Sequence, residues 1–112
     1  NGDKVRYLGI DTPELHHPHK VIIPGYLAKE AQQFNEKLVS GKKVRLEFDS
    51  RKKDKYGRLL AYVYVGDVFV NARMIEEGYA RLLIIPPNVK YADEFLKLQE
   101  KARSEKRGIW SK

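Results

Sequence analysis

Two carboxylates, Asp11 and Glu14, stand three residues apart on either side of Thr12 and Pro13, in the stretch "YLGIDTPELHHPHK". At that spacing both side chains can converge on one side of a turn. Like charges about 4 Å apart repel by about 1 kcal/mol in water and about 4 kcal/mol at an effective dielectric near 20, so a cation is expected between or beside them. Oxygen donors of this kind suit a hard cation, Ca2+ or Mg2+, and the chain has no Cys to build a soft-metal site. The plainer alternative is an Asx-type turn at Asp11 with Glu14 solvated.

Arg6, in the same apolar run as Asp11, and Arg58, in "DKYGR", could flank one anion, because guanidinium forks match phosphate oxygens. Carboxylates that hold a cation and orient water, together with arginines that hold a phosphate, are the parts of metal-assisted phosphodiester hydrolysis. Each half has an ordinary alternative: Arg6 paired with a strand carboxylate, and Arg58 as one more charge beside Arg51, Lys52 and Lys53. Three histidines, His16, His17 and His19, could bind a transition metal, but Pro18 interrupts them, and a surface loop is the simpler reading.

The whole chain supports a polyanionic partner. Its 112 residues carry 22 Lys and Arg against 15 Asp and Glu, a net charge of +7, which steers nucleic acid and gains from counterion release. A 42% hydrophobic content is enough for one modest core and a single domain over residues 1–112. No apolar window approaches the length of a membrane span.

The elements that must position these groups follow from periodicity. Asn1-Gly2 reads as a hairpin turn, with Val5 to Ile10 as the strand leaving it. Leu27, Ala31, Phe34 and Leu38 share a helix face that Gly41 ends. Val44, Leu46 and Phe48 alternate as a strand, Ser50 to Gly57 is a charged turn, and Leu59 to Val65 is a second strand. Gly66-Asp67 turns into a short strand, Val68 to Val70. Asn71 is expected to cap a short helix ended by Gly78, followed by a strand over 79–85 closed by Pro86-Pro87. Asn88 is expected to cap a last helix, with Tyr91, Phe95, Leu98 and Ala102 on one face. The pattern is mainly β with helices, α+β, and fits an OB-type barrel, an SH3-like barrel or an open sheet.

Taken in order, "VRYLGIDTPE", "GYLAKEAQQF", "DKYGRLLAYVYV", "VNARMIEEGYAR" and "EKARSEKRGIW" closely resemble the staphylococcal nuclease family over nearly the whole chain. The resemblance implies a five-stranded OB-fold barrel with three helices and Ca2+-dependent hydrolysis of DNA and RNA to 3′-phosphate products. It makes Asp11 a calcium ligand, gives Thr12 a ligating backbone carbonyl, and makes Glu14 the group that orients or deprotonates water. Arg6 and Arg58 become the phosphate clamps, and Lys55 and Tyr56 hold a neighbouring phosphate. A nucleic-acid-binding module without catalysis is the alternative on the same fold.

The family's upstream strand, with a further calcium-ligating Asp, is expected to lie before Asn1; Asp3 is read as part of the turn rather than as that ligand. Without that strand an open edge would favour strand exchange between copies of an otherwise monomeric protein. Bacterial relatives are often secreted, so a secreted or envelope location is the family expectation. The stretch "LLIIPPN" lacks the tyrosines that stack on the base in the family's type enzyme, and Tyr79 and Tyr91 are expected in the core.

Overall fold

A computed structural model describes residues 4–11 and 26–111. The turn at Asn1-Gly2-Asp3 and the loop holding Thr12, Glu14, the three histidines and Lys20 lie outside the described residues.

The organising element is β4 (Leu59–Val65), in which Leu60, Ala61, Tyr62 and Val63 are buried in succession. Four consecutive buried residues require cover on both faces, so this strand lies at the centre of the fold. On one edge β3 (Arg45–Lys53) pairs with it antiparallel. On the other, β1 (Val5–Tyr7) runs parallel to its first half, with Val5 opposite Leu59 and Arg6 opposite Leu60. β5 (Val68–Phe69) pairs antiparallel with its second half across the two-residue Gly66-Asp67 turn.

After β1 the chain leaves this sheet. Leu8 N–H still donates to Ala61 O at 2.9 Å, whereas Gly9 O accepts Leu83 N–H at 2.9 Å. The next strand, β2 (Ile10–Asp11), pairs antiparallel with β6 (Arg81–Leu82). Gly9 makes the bend at φ +80°, and a Cβ there would stand 2.5 Å from a ring carbon of Phe95. Its lack of a side chain serves both the left-handed backbone and the close approach. Among the described residues the ladders form two sheets joined at this bend, without a closed ring.

Among the described residues three helices cover the sheets, which gives the mixed α+β, OB-like architecture expected from the sequence. α1 (Tyr26–Val39) buries Leu27, Ala28 and Ala31, and Asn35 Oδ1 accepts the Tyr7 hydroxyl at 2.8 Å, tying it to β1. α2 (Val70–Glu76) and α3 (Ala92–Ser104) pack together, with Ile75 and Phe95 fully buried. A 3-10 turn, Gly108–Trp110, closes against the end of α2, where Ile109 N–H donates to Gly78 O at 2.8 Å.

Four sequence expectations are corrected. Asn71 lies inside α2, fully buried, and caps nothing: its Oδ1 accepts Val63 N–H and its Nδ2 donates to Leu8 O, both at 2.8 Å. Asn88 likewise does not cap α3, whose N-cap is Tyr91. The supposed turn over 50–57 is strand as far as Lys53, with a register shift between Phe48 and Lys53. The strand expected over 79–85 shrinks to Arg81–Leu82, with an isolated bridge between Ile85 and Asn88 around Pro86-Pro87.

Candidate active site

The parallel pairing of β1 with β4 decides where the arginines go. Side chains alternate along a strand, so with Val5 opposite Leu59, Arg6, Arg58 and Leu60 share one face. All three line a cavity of about 290 Å3, which Lys55 and Tyr56 also line. Every described residue expected to bind phosphate therefore meets in one place. Arg6 Nη1 donates to Ile10 O at 3.3 Å and, at 3.5 Å, to Tyr7 O, which lays its guanidinium along the β1–β2 bend.

Arg58 is held by Asp54, which sequence reasoning did not single out. Asp54 Oδ2 accepts Arg58 Nε at 2.7 Å, while its Oδ1 accepts the backbone N–H of Tyr56 at 2.9 Å and of Arg58 at 3.0 Å. Burial pushes the Asp54 carboxyl up, but the bonds from Arg58 and Tyr56 outweigh this and hold it below the ordinary carboxylate range. Gly57, at φ +80°, lets the turn close with its N–H donating to Asp54 O. The readable signal was an Asp opening a tight "DKYGR" turn, the usual setting of an Asx motif. With Nε committed to Asp54, the plane of the guanidinium is fixed and its terminal nitrogens remain as donors.

Tyr56 is 72% exposed, with Lys55 Nζ 5.3 Å and Arg58 Cζ 5.7 Å from its ring centre. The opposite wall is apolar: Leu83, Ile85, Pro86 and Pro87. Neither alternative tyrosine serves this wall. Tyr79 packs on Phe34 with ring centres 5.0 Å apart, and Tyr91 packs edge-on against Tyr62 at 4.6 Å while its hydroxyl bonds Glu47.

The site's acidic half begins at Asp11, half-buried at the end of β2 and opposite Arg81. Thr12 and Glu14 follow outside the described residues. Because Arg6 reaches Ile10 O, the cationic cavity abuts the chain just before Asp11. The candidate donors are carboxylate and carbonyl oxygens in a chain without Cys, and that donor chemistry fits a hard divalent cation. Among the described residues no three His, Asp or Glu side chains cluster as a metal site.

Arg51 and Asn88 also line the cavity. Asn88 is 4% exposed; its Oδ1 accepts Arg51 N–H at 2.8 Å and its Nδ2 donates to Arg51 O at 3.1 Å. Among the described residues β3 is an edge strand, and the Asn88 amide pairs with its backbone there as a neighbouring strand would. A second tie lies beside it, where Asp49 Oδ2 accepts the Tyr62 hydroxyl at 2.7 Å and Lys90 N–H at 3.0 Å.

Comparison with known proteins gives these positions a context. A family model described as "Staphylococcal nuclease homologue" matches residues 4–112. The chain is 47% identical over 114 residues to the SPbeta prophage-derived endonuclease YokF of Bacillus subtilis, a match covering 100% of this chain and 38% of the relative. It is 45% identical to endonuclease YncB of the same organism, across 98% of this chain and 52% of that protein. A thermonuclease of Staphylococcus intermedius is 40% identical, across 98% of this chain and 64% of that protein. The chain thus spans between 38% and 64% of the length of these relatives.

Proposed function

We propose, for a chain that belongs to the staphylococcal nuclease family, that it hydrolyses phosphodiester bonds of DNA and RNA with Ca2+ as cofactor, leaving 3′-phosphate ends. The observation that carries this reading is the convergence of Arg6, Lys55, Tyr56 and Arg58 on one cavity.

In this reading Arg6 and Arg58 hold the scissile phosphate between two guanidinium forks, Arg58 with its plane set by Asp54. Charge grows on the phosphoryl oxygens as water attacks phosphorus, and fixed donors aimed at them lower the barrier. Glu14 takes the proton from the attacking water, the bond from phosphorus to the 5′ oxygen breaks, and the departing oxygen takes a proton from solvent, which in turn receives the one held by Glu14. Arginine gives up its proton too reluctantly to act as an acid, so it serves as electrostatic stabiliser rather than as proton donor. Asp11 and the Thr12 carbonyl would hold the Ca2+, which supplies positive charge beside the reacting phosphate. Lys55 and Tyr56 hold the adjoining phosphate and so set the register of the strand.

Plasmid digestion with Ca2+, with EDTA, and with Glu14→Gln tests the scheme. Removal of a general base is expected to slow cleavage by about 10²- to 10⁴-fold. Unchanged cleavage by Glu14→Gln would overturn the assignment, and DNA binding without Ca2+-dependent cleavage would favour a binding module instead.

A further inference from the structure

The cavity holds more positive charge than one phosphodiester needs. Among the described residues, Arg6, Arg51, Lys55 and Arg58 line it against one carboxylate, Asp54, which is already paired with Arg58. The assignments above use all of these cations except Arg51. No carboxylate among the described residues forms an ion pair with Arg51, or with its exposed neighbours Lys52 and Lys53.

We infer that Arg51 binds a further backbone phosphate of the substrate strand, and that Lys52 and Lys53 carry the strand outward along the end of β3. The inference rests on the nuclease reading and extends the footprint of that site beyond the bond being cut.

Three observations point the same way. First, the Arg51 backbone is fixed: Asn88 bonds both its N–H and its C=O, so the side chain departs from a held point on the cavity wall. A pinned backbone reduces the ordering cost of using a long side chain as a ligand. Second, the pinning side chain belongs to the segment that supplies the apolar wall, since Pro86, Pro87 and Asn88 all line the cavity. Arg51 and the apolar wall are thereby held at a constant separation, with a cation for the phosphate and an apolar surface for the nucleoside. Third, β3 ends in consecutive exposed cations at what is, among the described residues, a sheet edge. Lysines there also discourage pairing with other strands. That role needs charge on the edge but does not need an arginine among the residues that line the cavity. Asn88 is accordingly a positioning residue, and Arg51 is the one that touches substrate.

Binding of a single-stranded oligothymidylate of about twelve nucleotides, a length within the usual range of single-strand sites, should be followed by fluorescence anisotropy in EDTA across a series of salt concentrations. Each phosphate contact contributes about 0.7 to the slope of log affinity against log salt for a single strand. Arg51→Gln is expected to lower the slope by about 0.7, and Arg51→Gln combined with Lys52→Gln and Lys53→Gln by up to about 2. Lys97→Gln, the same charge loss on the exposed face of α3, should leave the slope unchanged. With Ca2+ present, Arg51→Gln should raise KM on the long strand more than on a dinucleotide.

An Arg51→Gln slope equal to wild type, or equal effects of Arg51→Gln and Lys97→Gln, overturns the inference while the nuclease reading stands. Failure of the wild-type chain both to bind and to cleave would overturn both.

Discussion

Asn71 offers the most direct test of how the fold holds its site. It is fully buried, and its amide spans from Val63 N–H in the central strand to Leu8 O at the bend between Arg6 and Asp11, with both bonds 2.8 Å long. Asn71→Ala removes both bonds and leaves a buried donor and a buried acceptor with nothing to replace them. An orphaned buried group costs about 1–3 kcal/mol, so the pair predicts a loss of about 4 kcal/mol. Native domains are stable by about 5–15 kcal/mol in all, so this is a large fraction. With a urea m-value of about 2 kcal/mol per molar, the midpoint should fall by about 2 M with m unchanged. Hydrogen exchange at the Val63 amide should accelerate more than the global loss explains. A midpoint shift of less than about 0.3 M would refute the reasoning, because it would show that water or local rearrangement satisfies both groups at no cost.

Arg58→Lys keeps the charge but loses the fork and the bond from Nε to Asp54; kcat/KM on plasmid DNA should fall by about 10²- to 10³-fold, as for loss of one transition-state donor. A near wild-type rate would remove Arg58 from the mechanism. Acid stability should depend on Glu47 and Asp49. The bond from Lys90 chiefly holds the Glu47 carboxyl below its ordinary value, against burial and with help from the Tyr91 hydroxyl. Burial pushes Asp49 up, but bonds from Tyr62, Lys90 and Ser50 together bring it below its usual value. Unfolded Glu and Asp titrate near about 4.3 and 3.9, above these folded values, so the native state binds fewer protons in that region. Their stabilisation is complete above about pH 5 and is lost as pH falls through the folded values. Glu47→Gln and Asp49→Asn should each give a shallower acid limb in urea midpoints measured against pH, and an unchanged limb would contradict the assigned bonds.

The sequence was legible where a residue's neighbours in the chain decide its role. Alternation and apolar spacing located Leu59–Val65 to the residue and α1 to within a turn. Arg6 and Arg58 could be paired in advance because each lies in a short motif. What failed was partnership at a distance. Asn71 and Asn88 carry good capping side chains at plausible helix starts, yet each amide serves a backbone elsewhere, at Leu8 and Val63 or at Arg51. Likewise the second half of β3 shows no apolar alternation, because at a sheet edge both of its faces are largely exposed, and so it read as a turn. Arg51 was passed over for the same reason: nothing near it in sequence reveals the amide that holds it.

The seat of Gly9 on the ring of Phe95 sets a mechanical reference for the candidate site. β1, which carries Arg6, and β2, which ends at Asp11, diverge from this bend, so the spacing between them is gauged from helix α3 rather than from either strand. Phe95 lies in the core and does not line the cavity. A selection for altered substrate geometry should therefore recover changes on the buried face of α3, at Phe95 and its neighbours, in molecules whose cations and carboxylates are all intact.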